Sequence, residues 1–267
     1  MRVVFDININ IISGKKLYIS PFLQFMMKDY YKEIKEHFQN KEFTISNVCE
    51  VLDVAESTAY SIIKRMKKRN LIMSPVRGIF VLSNPKKISI PSDINMMRNH
   101  LLETITRTFS FTGLSILEPF LHHIPFVSIY HLFVEPGSAE DFKEKVKHIS
   151  KVVVLIEPSL NDIHLILEKI DAKKLVIIRE NKYFYASKNG LHSKEGAFVD
   201  LYFEVTREKI PFIRGDVDEI FKSLVLNNLI NFSHLFKYAN ERGIKNEIKD
   251  YLTKIAEDIE IPKKVLK

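Results

Sequence analysis

The 267-residue sequence contains a single cysteine and only 8 glycines. Cys49 alone cannot close an internal disulfide, and no Cys/His cluster has zinc-finger spacing. Its place on the apolar side of a helical stretch makes core packing its expected role. Glycine is too scarce for a Gly-rich loop that would cradle a nucleotide phosphate. Long apolar runs are missing as well, and none approaches the roughly 20 residues of a membrane span. Asp6, Asn8 and Asn10 break the apolar stretch that a signal peptide would need. These absences lead to the expectation of a cytoplasmic protein with no cofactor, no metal and no membrane partner.

Positive charge is present and unevenly placed. The formal net charge is +7, with a pI near 9.2. Residues 28–87 hold 12 Lys/Arg against 7 Asp/Glu, so +5 of that excess lies in less than a quarter of the chain. A basic segment of this kind favours an anionic partner.

The pattern inside that segment is the most informative in the chain. Tyr30, Ile34 and Phe38 are spaced at i, i+4 and i+8, which predicts a helix from Pro21 or Phe22 to Phe38. Thr44 or Ser46 caps a second helix carrying Val48, Val51 and Leu52 inward. Asp53-Val54 makes the turn. A third helix follows, with Ala55, Ala59, Ile62, Ile63 and Met66 as its inner stripe. Its outer face carries Ser57, Tyr60, Ser61, Lys64 and Lys68, and it ends in Lys64-Arg65-Met66-Lys67-Lys68-Arg69, five cations in six residues. Leu71–Ser74 and Gly78–Leu82 read as two strands around Pro75-Val76-Arg77-Gly78. Helix, turn, helix and β-ribbon in this order describe a winged helix-turn-helix. Apolar anchors behind and hydrogen-bond donors in front suit a helix that enters the DNA major groove. The expected DNA-binding residues are Ser57, Thr58, Tyr60, Ser61, Lys64, Arg65, Lys67, Lys68 and Arg77. A bland alternative exists, because cations at a helix C-terminus also simply complement its dipole.

Before this unit, residues 2–20 alternate apolar and polar around Ser13-Gly14-Lys15 and predict a β-hairpin. After it, Ser83–Pro91 reads as a linker. A helix is expected over Asp93–Phe109 and another from Phe111. Strands are expected at Phe126–Val134, Val152–Glu157, Leu175–Arg179 and Tyr183–Ala186. Helices interleave from Ser138, where Ser138-x-x-Asp141 offers a capping box, and from Ser159 to Ile170. After Asp200 the pattern is helical, over Val217–Asn227, Ile230–Arg242 and Lys245–Ile259. The expected fold is α+β: a hairpin appendage over 1–20, a winged helix-turn-helix domain over 21–84, a linker over 85–92, and a larger α/β domain over 93–267 with a helical C-terminal part.

Catalytic signatures are thin. His122-His123 are neighbours on one helix and point about 100° apart, so they do not jointly grip a metal. His100, His131, His148, His164, His192 and His234 have no ligand spacing. Glu157, Glu180, Asp200 and Glu204, with Lys182 nearby, would be the carboxylates of a metal-dependent nuclease, although strand-end carboxylates are common on surfaces. Gly137-Ser138 lacks the paired aspartates a nucleotidyltransferase needs in the following strand. Asp200, among apolar neighbours, needs a partner or a helix N-terminus, and structural capping is the expected role.

Three stretches carry a family resemblance: residues 28–82, Phe111-Thr112-Gly113-Leu114-Ser115-Ile116-Leu117, and Ala197-Phe198-Val199-Asp200-Leu201-Tyr202. The last two look like an aromatic-x-Gly-x-x-Ala-Leu segment and a Thr-Leu-Val-Asp-Leu segment, with Ile116 departing from the alanine. In this the chain resembles the AbiEi-like antitoxin regulators of type IV toxin–antitoxin systems, and specifically their archaeal relatives, over about residues 28–230. The resemblance implies a transcriptional autorepressor that binds operator DNA and offsets a nucleotidyltransferase-like toxin encoded alongside. Double-stranded DNA, that toxin and a second copy of the chain are the expected partners. A non-enzymatic regulator is the leading expectation; a DNA-binding protein whose α/β domain is a nuclease or nucleotidyltransferase is the alternative.

Overall fold

The structure, a computed structural model, describes residues 21–39, 41–69, 71–82, 90–121, 127–149, 152–169, 174–259, 261 and 265, with side chains from 30 onward except that of Lys169. The hairpin expected over 2–20, most of the linker and His122-His123 lie outside the described residues. What is described is a mixed α+β protein with a six-stranded sheet and several helices.

A small head comes first. Helices α1 (Pro21–Phe38), α2 (Ile45–Leu52) and α3 (Glu56–Lys68) are followed by the antiparallel pair β1 (Ile72–Met73) and β2 (Val81–Leu82). Thr44 caps α2 through a reciprocal box with Asn47, which satisfies donors that the first helical turn leaves open. Asp53 ends α2 in the left-handed conformation at φ 49°, a region that Asp tolerates better than most residues. Ile34, Val48, Ala59, Ile62, Ile63 and Met66 meet in the head's own core. The strands are shorter than expected, but the Phe43 and Phe80 backbones exchange hydrogen bonds of 2.9 and 2.8 Å and extend the ribbon. Ala55, expected on the inner stripe of α3, is instead its exposed N-cap residue.

The larger part begins with α4 (Ser92–Thr104) and β3 (Phe109–Thr112). The helices expected over 93–109 and from Phe111 are thus corrected. The first stops at Thr104, and Phe109-Ser110-Phe111-Thr112 alternates along a strand that pairs with β4 (Ser128–Val134). Only four residues, α5 (Leu114–Leu117), remain helical there before a 3-10 turn at Glu118–Phe120. Then follow α6 (Ala139–Ile149), β5 (Val153–Ile156), α7 (Leu160–Lys169) and β6 (Lys174–Glu180). β4, β5 and β6 run parallel with β6 in the middle, so the chain reverses its lateral direction after β5. Right-handed crossovers then place α6 and α7 on opposite faces of the sheet. The strand expected at Tyr183–Ala186 does not form. The hairpin β7 (Ser187–Lys188) and β8 (Leu191–His192) follows it, turning at Asn189-Gly190 with φ of 52° and 73°. Two positive φ values there match the primed turns that Asn-Gly favours.

Four helices close the fold: α8 (Lys194–Thr206), α9 (Arg214–Leu226), α10 (Phe232–Glu241) and α11 (Lys245–Ile255). Alternation along β6 divides the core: Val176 and Ile178 face α4 and α6, whereas Leu175 and Ile177 face the layer built on α8. The capping box expected at Ser138 is replaced by one at α7, where Ser159 and Asp162 bond reciprocally. The Ser138 hydroxyl donates to the Glu135 carbonyl instead.

Candidate nucleic-acid interface

α3 owes its position to its back face. Ala59, Ile62, Ile63 and Met66 recur at helical spacing and are at most 3% exposed, each of the three larger ones contributing about 2 kcal/mol of burial. Glu56 in the first turn and Arg65, Lys67 and Lys68 in the last complement the helix dipole. What the back face fixes, the front displays. Ser57, Thr58, Tyr60, Ser61, Lys64, Arg65, Lys67 and Lys68 are all exposed, and Tyr60 is 59% exposed. The Lys67 ammonium lies 5.7 Å above the Phe80 ring, which ties the helix end to the ribbon. Eight of the nine expected contact residues thus share one uncovered element.

Arg77 is exposed too, but the turn carrying it does not project freely. Ser74 Oγ donates to the carbonyls of Val76 (2.7 Å) and Ile79 (2.9 Å), drawing the turn in on itself. Val76 packs against the core of the larger part. The Phe232 amide donates to the Pro75 carbonyl at 2.8 Å, and Asn231 Nδ2 donates to the Ser74 carbonyl at 2.9 Å. Asn228 Nδ2 reaches the Leu82 carbonyl at 3.3 Å. The ribbon therefore serves as the joint between head and body.

The sequence requires of Asp200 either a partner or a helix N-terminus; it has partners, and the expected capping role is corrected. Asp200 sits mid-helix in α8, 1% exposed. Thr112 Oγ1 donates to it at 2.6 Å and Tyr238 Oη at 2.9 Å, while His192 Nδ1 stands at 2.8 Å. Arg242 Nε lies 3.2 Å away, close enough for an ion pair but without hydrogen-bond alignment. The Arg242 guanidinium also rests 4.4 Å over the Phe203 ring. Burial, with the Asp200 charge beside it, pushes the Tyr238 hydroxyl pKa far up, so it stays a donor.

A second group adjoins the first. Arg179, 5% exposed on β6, pairs with Glu204 at 3.0 Å and Glu157 at 3.2 Å and donates to the Pro158 carbonyl at 2.9 Å. Burial raises the Glu204 pKa against the opposing pull of Arg179, Lys209 and Arg242. His131, on the neighbouring strand, is wholly enclosed: burial first, then the Arg179 charge, lower its pKa to about 3. Gly113, at φ +55°, makes room for that ring, since a Cβ there would come within 2.9 Å of His131 Nδ1.

The carboxylates proposed for metal chemistry are thus engaged. Glu157 accepts the Glu180 amide at 2.6 Å as well as Arg179, and Glu180 accepts the Gly137 amide at 2.7 Å. Among the described residues no group of three His, Cys, Asp or Glu is placed to hold a metal ion, and no helix is long and apolar enough to cross a membrane. A signal for the buried groups was present in the sequence. Thr112, His131 and Arg179 interrupt apolar strands at positions of one parity, all facing α8.

Fold and surface together define a small helical head with an exposed basic helix, fixed through a β-ribbon to an α/β body with two adjoining buried polar clusters around Asp200 and Arg179. The chain belongs to DUF6577, a family of unknown function, whose model matches residues 58–258. No curated protein matches the chain.

Proposed function

We propose that this protein is a DNA-binding transcriptional regulator of the winged helix-turn-helix type, acting as an antitoxin-like autorepressor. In this reading α3 enters the major groove, Ser57, Thr58, Tyr60 and Ser61 approach base edges, and Lys64, Arg65, Lys67 and Lys68 neutralise phosphates. The observation that carries the reading is the division of α3: four apolar side chains seated in the head's core, and eight polar or cationic ones uncovered on the other side. Arg77 contributes from the rim of the ribbon. The resemblance to AbiEi-like antitoxins supplies the autorepressor role and the neighbouring toxin as partner. The nuclease alternative is less favoured, because its carboxylates already serve Arg179, Arg242 and backbone amides.

The test is a gel-shift titration against the DNA upstream of the protein's own gene. Retarded, sequence-selective complexes support the reading. Binding left unaltered after Lys64, Lys67 and Lys68 are all changed to Ala rejects the surface.

A further inference from the structure

Helices α8, α9 and α11 border a cleft of about 380 Å³ that none of the above employs, and this volume suits a small molecule. The rings of Tyr202 and Tyr251 line it with centroids 5.2 Å apart, backed by aliphatic side chains of the same helices. The Tyr251 hydroxyl is buried beside the Asp218 carboxylate, and burial together with that charge raises its pKa.

The charges around the cleft say which occupant suits it. Arg214 and Asp218 stand four residues apart on α9, and Asp250 and Lys254 four apart on α11, the spacing at which opposite charges usually pair. Among the described residues none of these four makes an ion pair. The other two carboxylates of the lining are taken: Glu247 receives both arms of Arg207 at 2.6 and 2.7 Å, and Asp258 pairs with Lys222 at 3.0 Å. Two charges of each sign, Asp218 beside the Tyr251 hydroxyl among them, thus border an aromatic floor without an ion-pair partner among the described residues. A simple anion or cation would satisfy half of them and be repelled by the rest. A zwitterion satisfies both signs, its carboxylate on the arginine fork and its ammonium on a carboxylate.

The cleft is also connected to the head. α9 lines it near its first turns with Arg214 and Asp218, and just beyond its C-terminus Asn228 and Asn231 grip Leu82 and Ser74. A helix that shifts at one end moves what the other end holds.

We propose that this cleft binds a free amino acid with an aromatic or branched apolar side chain, and that its occupancy alters the DNA affinity of α3 through the C-terminal turn of α9. The first half stands by itself; the second rests on the DNA-binding reading.

The test uses the full chain and isothermal calorimetry with the standard amino acids, alongside phenethylamine and 3-phenylpropionate as probes lacking one charge. At least one aromatic or branched amino acid is expected to bind. The single-charge probes, and the surface variants Arg214→Ala and Asp218→Asn, should each bind roughly tenfold more weakly, the loss expected for a charged hydrogen bond. No binding by any amino acid at millimolar concentration, or binding indifferent to both variants, overturns the site. In gel shifts the bound amino acid should change DNA affinity several-fold, and Asn228→Ala should abolish that change. An amino acid that binds while DNA affinity stays fixed overturns the coupling. An amino acid that binds a chain showing no DNA affinity at all refutes the DNA-binding reading and leaves the site standing.

Discussion

Asn231 Nδ2 donates to the Ser74 carbonyl at 2.9 Å across 157 residues of sequence, and the Oδ1 of the same side chain caps α10 through the His234 amide at 3.1 Å. The backbone amide of Asn231 donates to Glu195 Oε1 at 2.8 Å. One residue thus ties the ribbon, α8 and α10 together. The orientation of the head is set by the body.

Asn231→Ala removes a helix cap and a part-buried hydrogen bond while leaving the apolar contacts in place. Each loss is worth about 1 kcal/mol, so stability should fall by about 2 kcal/mol in urea unfolding. Hydrogen exchange should rise at residues 74–82. Unchanged exchange there would mean that Val76 packing and the Phe232–Pro75 and Asn228–Leu82 hydrogen bonds hold the joint without it.

Asp200→Ala strands a buried guanidinium, two hydroxyls and an imidazole that now converge on one carboxylate. Removing one member of a buried ion pair costs about 3–5 kcal/mol, because its partner is left uncompensated. Thr112→Val, which deletes a single neutral donor, should cost about 1 kcal/mol. Equal losses from the two, measured by denaturant unfolding, would contradict the view of Asp200 as the hub.

His131 gives the fold a pH dependence of definite sign. Its pKa is about 3 in the folded chain and near the ordinary 6.5 when unfolded, so below pH 6.5 the unfolded state binds the extra proton. Stability contributed by the neutral ring is complete above that pH and is lost as pH falls toward 3. The slope from this residue approaches about 1.4 kcal/mol per pH unit. His131→Leu should flatten the curve of stability against pH between 6 and 4. An unchanged slope would show that the ring is protonated without penalty.

How far the sequence reveals this fold depends on element length and on how much of each element is buried. α3 was legible because its exposed and buried faces differ in kind, and β4, β5 and β6 because apolar runs bounded by polar loops read as strands. β3 was not, since four residues beginning at Phe109 offer two periods of alternation, too few to outweigh the helical spacing on either side. The start of α8 was missed because Ala197-Phe198-Val199-Asp200-Leu201 is buried on all sides and shows no polar face. Asn189-Gly190 did announce its hairpin and went unread. Of the candidate site, the α3 face was readable from local spacing. The joint at Ser74 and the cluster around Asp200 were not, because their partners lie far away in sequence and only the fold unites them.

The direct test of DNA reading by α3 is the salt dependence of operator binding. Each phosphate contact contributes about 0.9 to the slope of log K against log salt on duplex DNA. Changing Lys64, Lys67 and Lys68 together to Ala should lower affinity and reduce the magnitude of that slope by about 2 to 3, while sequence preference is retained through Ser57, Tyr60 and Ser61. A variant that keeps both the wild-type affinity and the wild-type slope would contradict the account.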